Sequence, residues 1–209
     1  TLFRSDDQHL RQLRNPSSEV CTLKLARQCP NAGQVAVIER VARRVRREVR
    51  GGCTGGAVPP AAEPLFELVH SEAASGKSTV IAWLRELFVD VQGWQHGIQF
   101  VCLAFRKTQA AQIHGYTIHR WANIPTNYRF ETNMRSRVDY QEFCVRCQSL
   151  RWMIIDEIEM VPAGLFRELQ KRLADGVLDT SAYKRRSDNS PRPFAGVNVL
   201  LRCAEWPGE

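Results

Sequence analysis

Two short stretches carry residue types that can do chemistry together. The first, Gly76-Lys77-Ser78, closes a loop of mostly small residues over positions 71–78. In a phosphate-binding loop the backbone N–H groups of the loop and the first helical turn point at phosphate oxygens, and the helix dipole favours their charge. Ser75 and Gly76 would supply such amides, Lys77 would reach the β/γ-phosphates, and the Ser78 hydroxyl would sit on Mg²⁺. The usual pattern is Gly, four variable residues, then Gly-Lys-Ser/Thr. Here Ser71 stands at the opening position. If the backbone there needs positive φ, a Ser costs about 1–2 kcal/mol, or about tenfold in nucleotide affinity. The second stretch is Asp156-Glu157, which ends an apolar run. Asp156 is the candidate metal ligand and Glu157 the candidate residue that orients or deprotonates an attacking water. Taken alone, each stretch also reads as an ordinary turn next to a strand. Taken together they look like two halves of a nucleotide-hydrolysis site, in which positioning and charge neutralisation by Lys77 and Mg²⁺ do most of the catalysis.

Both stretches need particular elements to hold them. Residues 65–69 predict a strand before the loop, and Val80, Ile81, Leu84, Leu87 and Phe88 predict a helix after it. Further strands are expected at 99–104, 152–155 and 197–201. A helix is expected over 162–173, with Pro162 at its first turn and Leu165, Phe166, Leu169 and Leu173 on one face. Strands alternating with helices predict an α/β fold with a mainly parallel sheet flanked by helices, which delivers its acids at the carboxyl ends of the strands. From Asn31 a helix with Val37, Ile38, Val41, Val45 and Val49 on one face carries Arg40, Arg43, Arg44, Arg47 and Arg50 on the other. An amphipathic surface helix is the preferred reading, ahead of one that contacts nucleic acid. Residues 1–30 read as a poorly structured leader, 51–64 as a flexible loop, and 123–145 as a polar, irregular insertion.

The 209 residues are 44% hydrophobic and 24% charged, the balance of a globular protein, and no apolar run is long enough to predict a membrane-spanning helix. A net charge of +7 suits a polyanionic partner. Seven scattered Cys predict reduced thiols in a cell interior. Cys144 and Cys147 form one CxxC, but a structural zinc needs four ligands, so thiols are the default reading. The chain starts at Thr1 and reads as a fragment.

Several stretches carry a resemblance. Asp156-Glu157-Ile158-Glu159-Met160 resembles the Asp-Glu-Ile-Ser-Met signature of the PIF-one (petite integration frequency) family of superfamily-one DNA helicases. Ala110, Ala111, Ile113, Gly115, Thr117, Ile118 and His119 fall at the positions of its Ala-Ala-x-Ile-x-Gly-x-Thr-Ile-His motif. Asn31-Ala-Gly-Gln34 resembles its Asn-x-x-Gln motif, and residues 193–201 resemble the strand that leads to its third motif. The departures are Ser71 and Ala74 where the family has Gly, and Glu159 where it has Ser. The family's third motif continues Gly-Asp-x-x-Gln-Leu-Pro-Pro, whereas this chain reads Cys203-Ala204-Glu205-Trp206-Pro207-Gly208-Glu209.

The resemblance implies a RecA-like P-loop ATPase domain over 31–209, C-terminally truncated, with a second RecA-like domain in the full-length protein. It implies ATP as substrate, Mg²⁺ as cofactor, single-stranded DNA as partner, and Gln34 as the reader of adenine. The implied activity is 5′-to-3′ DNA unwinding driven by ATP hydrolysis, with roles in DNA repair, recombination and telomere maintenance in the nucleus or mitochondrion. Thr117 and His119 would lie along the DNA path. Trp121 is added to them because aromatic faces stack on bases. The alternative is that Ile118 and Trp121 belong to the core and His119 is a hydrogen-bonded structural histidine. The rival to a helicase is a degenerate, non-catalytic nucleotide- or DNA-binding remnant. A small-molecule P-loop kinase is disfavoured by the Thr-Ile-His stretch and the basic charge.

Overall fold

Five short runs, mostly of β-branched, aromatic and other apolar residues, form the strands: β1 (Phe66–Ser71), β2 (Phe100–Ala104), β3 (Tyr116–Thr117), β4 (Trp152–Asp156) and β5 (Asn198–Ala204). In this computed structural model, which describes residues 31–53, 63–71, 77–125, 137–179, 181 and 183–204, they make one parallel sheet in the order β1-β5-β4-β2-β3. Every residue of β2 and β4 is buried, as expected of central parallel strands covered on both faces. The expected leader, residues 1–30, lies outside the described residues.

The helices divide between the two faces. One core packs α1 (Ala32–Cys53) and α2 (Lys77–Glu86), with the π-helical turn Leu87–Val91, against Phe100, Trp152, Ile154 and Leu200. The other packs α4 (Ile118–Trp121), α5 (Arg137–Gln148) and α6 (Ala163–Gly176) against Val101, Leu103, Met153, Ile155 and Val199. Alternate strand residues serve alternate faces. The short α3 (Lys107–Gln112) connects β2 to β3. No helix among the described residues is long and apolar enough to cross a membrane.

Three boundaries differ from expectation. Helix α1 continues through Gly51 to Cys53, so the expected loop begins later, and residues 54–62 lie outside the described residues. Glycine weakens a helix by about 1 kcal/mol but does not forbid it. The irregular insertion gives way to α5, whose Phe143 and Cys147 are buried. Strand β5 runs on to Ala204 because β1 pairs with it through Ser71. The arginine face of α1 is partly committed within the chain. Arg40 pairs with Glu67, and Arg44 pairs with Glu48, while Arg43 and Arg47 are exposed.

Candidate nucleotide site and nucleic-acid edge

Because the strands are parallel, their carboxyl ends line one edge. Ser71 is in register with Ala204, and Ala104 is in register with both Asp156 and Thr117. At a strand spacing of about 4.8 Å, Thr117 and Asp156 lie about 10 Å apart across β2. Lys77 and Ser78 are the first residues of α2, which starts shortly after β1. Ser75 and Gly76, expected to cradle phosphate, lie outside the described residues.

Beside this edge is a cavity of about 480 Å³, within the usual range for a small-molecule site. Its lining includes Gln34, Arg40, His70, Ile81 and Arg202. Gln34 sits there because Asn31 caps α1. The Asn31 N–H donates to Gln34 Oε1, and the Gln34 N–H donates to Asn31 Oδ1, both at 2.9 Å. This reciprocal pair fixes the first turn of α1. It holds the residue expected to read adenine at the cavity wall.

Asp156 ends β4 with only 1% of its surface exposed. Its Oδ1 lies 2.5 Å from Arg202 Nε and accepts the Glu157 N–H at 2.8 Å. Arg202 and Asp156 are neighbours on adjacent strands and lie on the same face of the sheet. Burial raises the Asp156 carboxyl above the ordinary range, against the pull of Arg202. Sequence reasoning missed Arg202, because one charge inside an apolar strand carries no periodic signal. The carboxylate expected to hold Mg²⁺ therefore already has a cation beside it. Mg²⁺ demands near-ideal octahedral geometry and keeps several waters, and that arrangement does not fit next to a buried guanidinium. The Arg202 pairing counts against the metal role expected of Asp156. Among the described residues, no three His, Cys, Asp or Glu side chains converge on a common point.

Glu157 follows in the left-handed conformation, φ 49° and ψ 56°. A non-glycine residue there costs about 1–2 kcal/mol, and such strain clusters at functional sites. Its carboxylate accepts a hydrogen bond from Gln109 Nε2 on α3. Burial, then the charges of Asp156 and Glu159, raise its carboxyl above the ordinary range. That shift moves it toward the range of a general base. Gln109 was also missed, although it directly precedes the Ala110-Ala111 stretch.

The expected DNA-contacting residues divide. Thr117 caps α4, its Oγ1 accepting the Arg120 N–H at 3.2 Å, and it is partly exposed at the sheet edge. His119 is half-buried beside Phe105, and burial lowers its imidazole. Trp121 is a correction. It is 1% exposed and packs edge-on against Phe143 of α5, so no base can stack on it. Cys147 of the CxxC is buried, which pushes its thiol up to about 12 and leaves it protonated.

No protein-family model and no curated protein matches the chain. Solved structures do. The Pif1 helicase from Candida albicans is 18% identical with a TM-score of 0.53, over 84% of this chain and 32% of that one. Bacteroides Pif1 in complex with ADP-AlF3 and ssDNA is 24% identical with a TM-score of 0.49, over 69% of this chain and 29% of that one. Bacteroides Pif1 bound to ssDNA is 23% identical with a TM-score of 0.45, over 68% and 28%. This chain therefore spans about a third or less of the length of the helicases it resembles. The fold is α/β and RecA-like, a parallel sheet flanked by helices, similar to part of a Pif1 helicase.

Proposed function

We propose that this chain is the nucleotide-binding motor domain of a PIF-one-type DNA helicase. In the whole protein, ATP hydrolysis would drive 5′-to-3′ movement along single-stranded DNA, serving repair, recombination and telomere maintenance in the nucleus or mitochondrion. One observation carries the reading. The parallel register gathers the end of β1, the start of α2 and Asp156-Glu157 at one sheet edge, beside a 480 Å³ cavity walled by Gln34. On this reading Lys77 neutralises phosphate charge and Glu157, steadied by Gln109, orients the attacking water. Thr117, about 10 Å from Asp156 across β2, meets the DNA backbone together with His119. Titrating a fluorescent ATP analogue into the chain, with unlabelled ATP as competitor, tests the nucleotide site. Absence of competable binding refutes it.

The rival, a non-catalytic nucleotide- or DNA-binding remnant, is favoured by the Asp156–Arg202 pair and by Ser71 and Ala74 in the loop. Phosphate release with and without single-stranded DNA separates the two readings. DNA-stimulated turnover excludes the remnant, and tight binding without turnover supports it.

A further inference from the structure

We propose that Arg202 is the resident cation of the phosphate site. Its guanidinium, fixed by Asp156, would take a phosphate oxygen of a nucleoside di- or triphosphate, so that nucleotide binds without a divalent metal. The inference rests on the cavity being a nucleotide site.

Three observations support it. Arg202 lies opposite Val69 in β5, two residues before β1 ends at Ser71, so its backbone is beside the start of the phosphate loop. Its side chain is 9% exposed, yet it lines the same cavity as Gln34 and His70. Its Nη1 is buried with no hydrogen-bond partner among the described residues. A buried donor left unpaired is costly, and it is satisfied by an anionic oxygen reaching it through the cavity. Guanidinium is suited to that task, being always charged and presenting a planar fork that matches phosphate. The Asp156 carboxylate beside Nε sets its direction and leaves Nη1 for a ligand. The same pair keeps Mg²⁺ off Asp156, because a metal would have to displace a positive charge 2.5 Å from the carboxylate.

The test is calorimetric titration of ADP and ATP into the 209-residue chain, once with excess Mg²⁺ and once with EDTA. The wild type is expected to bind with affinities within about threefold of each other in the two buffers. Arg202→Gln is expected to lose about tenfold or more in EDTA, the usual effect of losing a charge-assisted hydrogen bond. Mg²⁺ should restore part of that affinity, because Asp156 is then free to hold it. Arg202→Lys keeps the charge without the fork and should weaken EDTA binding by less than the Gln variant. If Arg202→Gln fails to fold, as judged by circular dichroism, the Lys variant decides. Wild-type binding that falls about tenfold in EDTA overturns the proposal and leaves the nucleotide reading intact. A folded variant that binds like wild type in EDTA also overturns it and makes Arg202 a structural strut. No nucleotide binding in either buffer overturns this inference and the nucleotide reading together.

Discussion

Glu48 is the residue whose removal should most loosen helix α1, which walls the Gln34 cavity. It sits on α1, 6% exposed, and one carboxylate oxygen gathers three donors. These are Arg44 Nε at 3.0 Å, Arg151 Nη2 at 3.1 Å and Asn198 Nδ2 at 2.8 Å. The arginines flank the carboxylate from the same helix and from the residue before β4, and Asn198 opens β5. One charge thus ties α1 to the sheet. Glu48→Ala leaves two guanidinium groups facing each other. Breaking a buried pair costs about 3–5 kcal/mol. Arg44 and Arg151 keep 10% and 15% of their side-chain surface in water. Asn198 keeps a bond to the Arg151 carbonyl at 3.0 Å, so the low end, about 3 kcal/mol, applies. For a chain of this size that corresponds to a Tm lower by about 6–12 °C. Thermal and urea unfolding followed by circular dichroism read it. Glu48→Gln keeps an acceptor for Asn198 and should cost about half as much. A Glu48→Ala protein within about 0.5 kcal/mol of wild type would refute the argument, since that is the effect of an ordinary surface change.

Four further outcomes are expected. Lys77→Ala should abolish nucleotide binding measured by calorimetry, and equal affinity in variant and wild type would remove the phosphate-loop assignment. Gly196→Ala should unfold or destabilise the chain by about 3 kcal/mol or more in urea unfolding, because its φ is +80° and an added Cβ would lie 1.8 Å from the Tyr183 carbonyl oxygen. Burial, with Arg85 adding, holds His96 down at about 4, and its Nε2 accepts the Cys102 N–H. An unfolded imidazole titrates near 6.5. The resulting stability is therefore full above that pH and is lost as pH falls toward 4, so Tm-against-pH curves for wild type and His96→Gln should converge across that window; parallel curves count against it. Fluorescence anisotropy should show a preference for single-stranded over duplex DNA, with affinity falling linearly on a log-log plot against salt, as the net charge of +7 implies. Salt-insensitive binding would argue against a phosphate-contacting surface.

Apolar periodicity predicted the main strands and the buried faces of α1, α2 and α6, because burial on a regular element writes its period into the chain. The two candidate stretches could be singled out for a similar reason. A strand that ends in two acids and a loop that ends in Gly-Lys-Ser each have a local signature. What escaped was set by distant residues. Arg202 interrupts an apolar run, and only Asp156 on the adjacent strand explains it. Trp121 follows a polar stretch, and what buries it is Phe143, on a helix whose few apolar positions gave no clear stripe. The left-handed turn at Glu157 is set by the chain's path from β4 into the following 3₁₀ turn, and nothing about a glutamate predicts it.

The sheet order also has a consequence for how the protein is made. Strand β1 launches the phosphate loop, yet β5 is its only strand neighbour among the described residues. The bond that seats the start of β1, from the Leu65 N–H to Asn198 Oδ1, spans 133 residues of chain. At about 5–20 residues per second, a ribosome needs several seconds to tens of seconds to cover that distance. During this interval the strand before Gly76-Lys77-Ser78 has no template to join. Phe66 and Leu68, about half exposed even in the finished fold, are then open to chaperones or to other nascent chains. Among the described residues, β1 therefore joins the sheet only after β5 has been made.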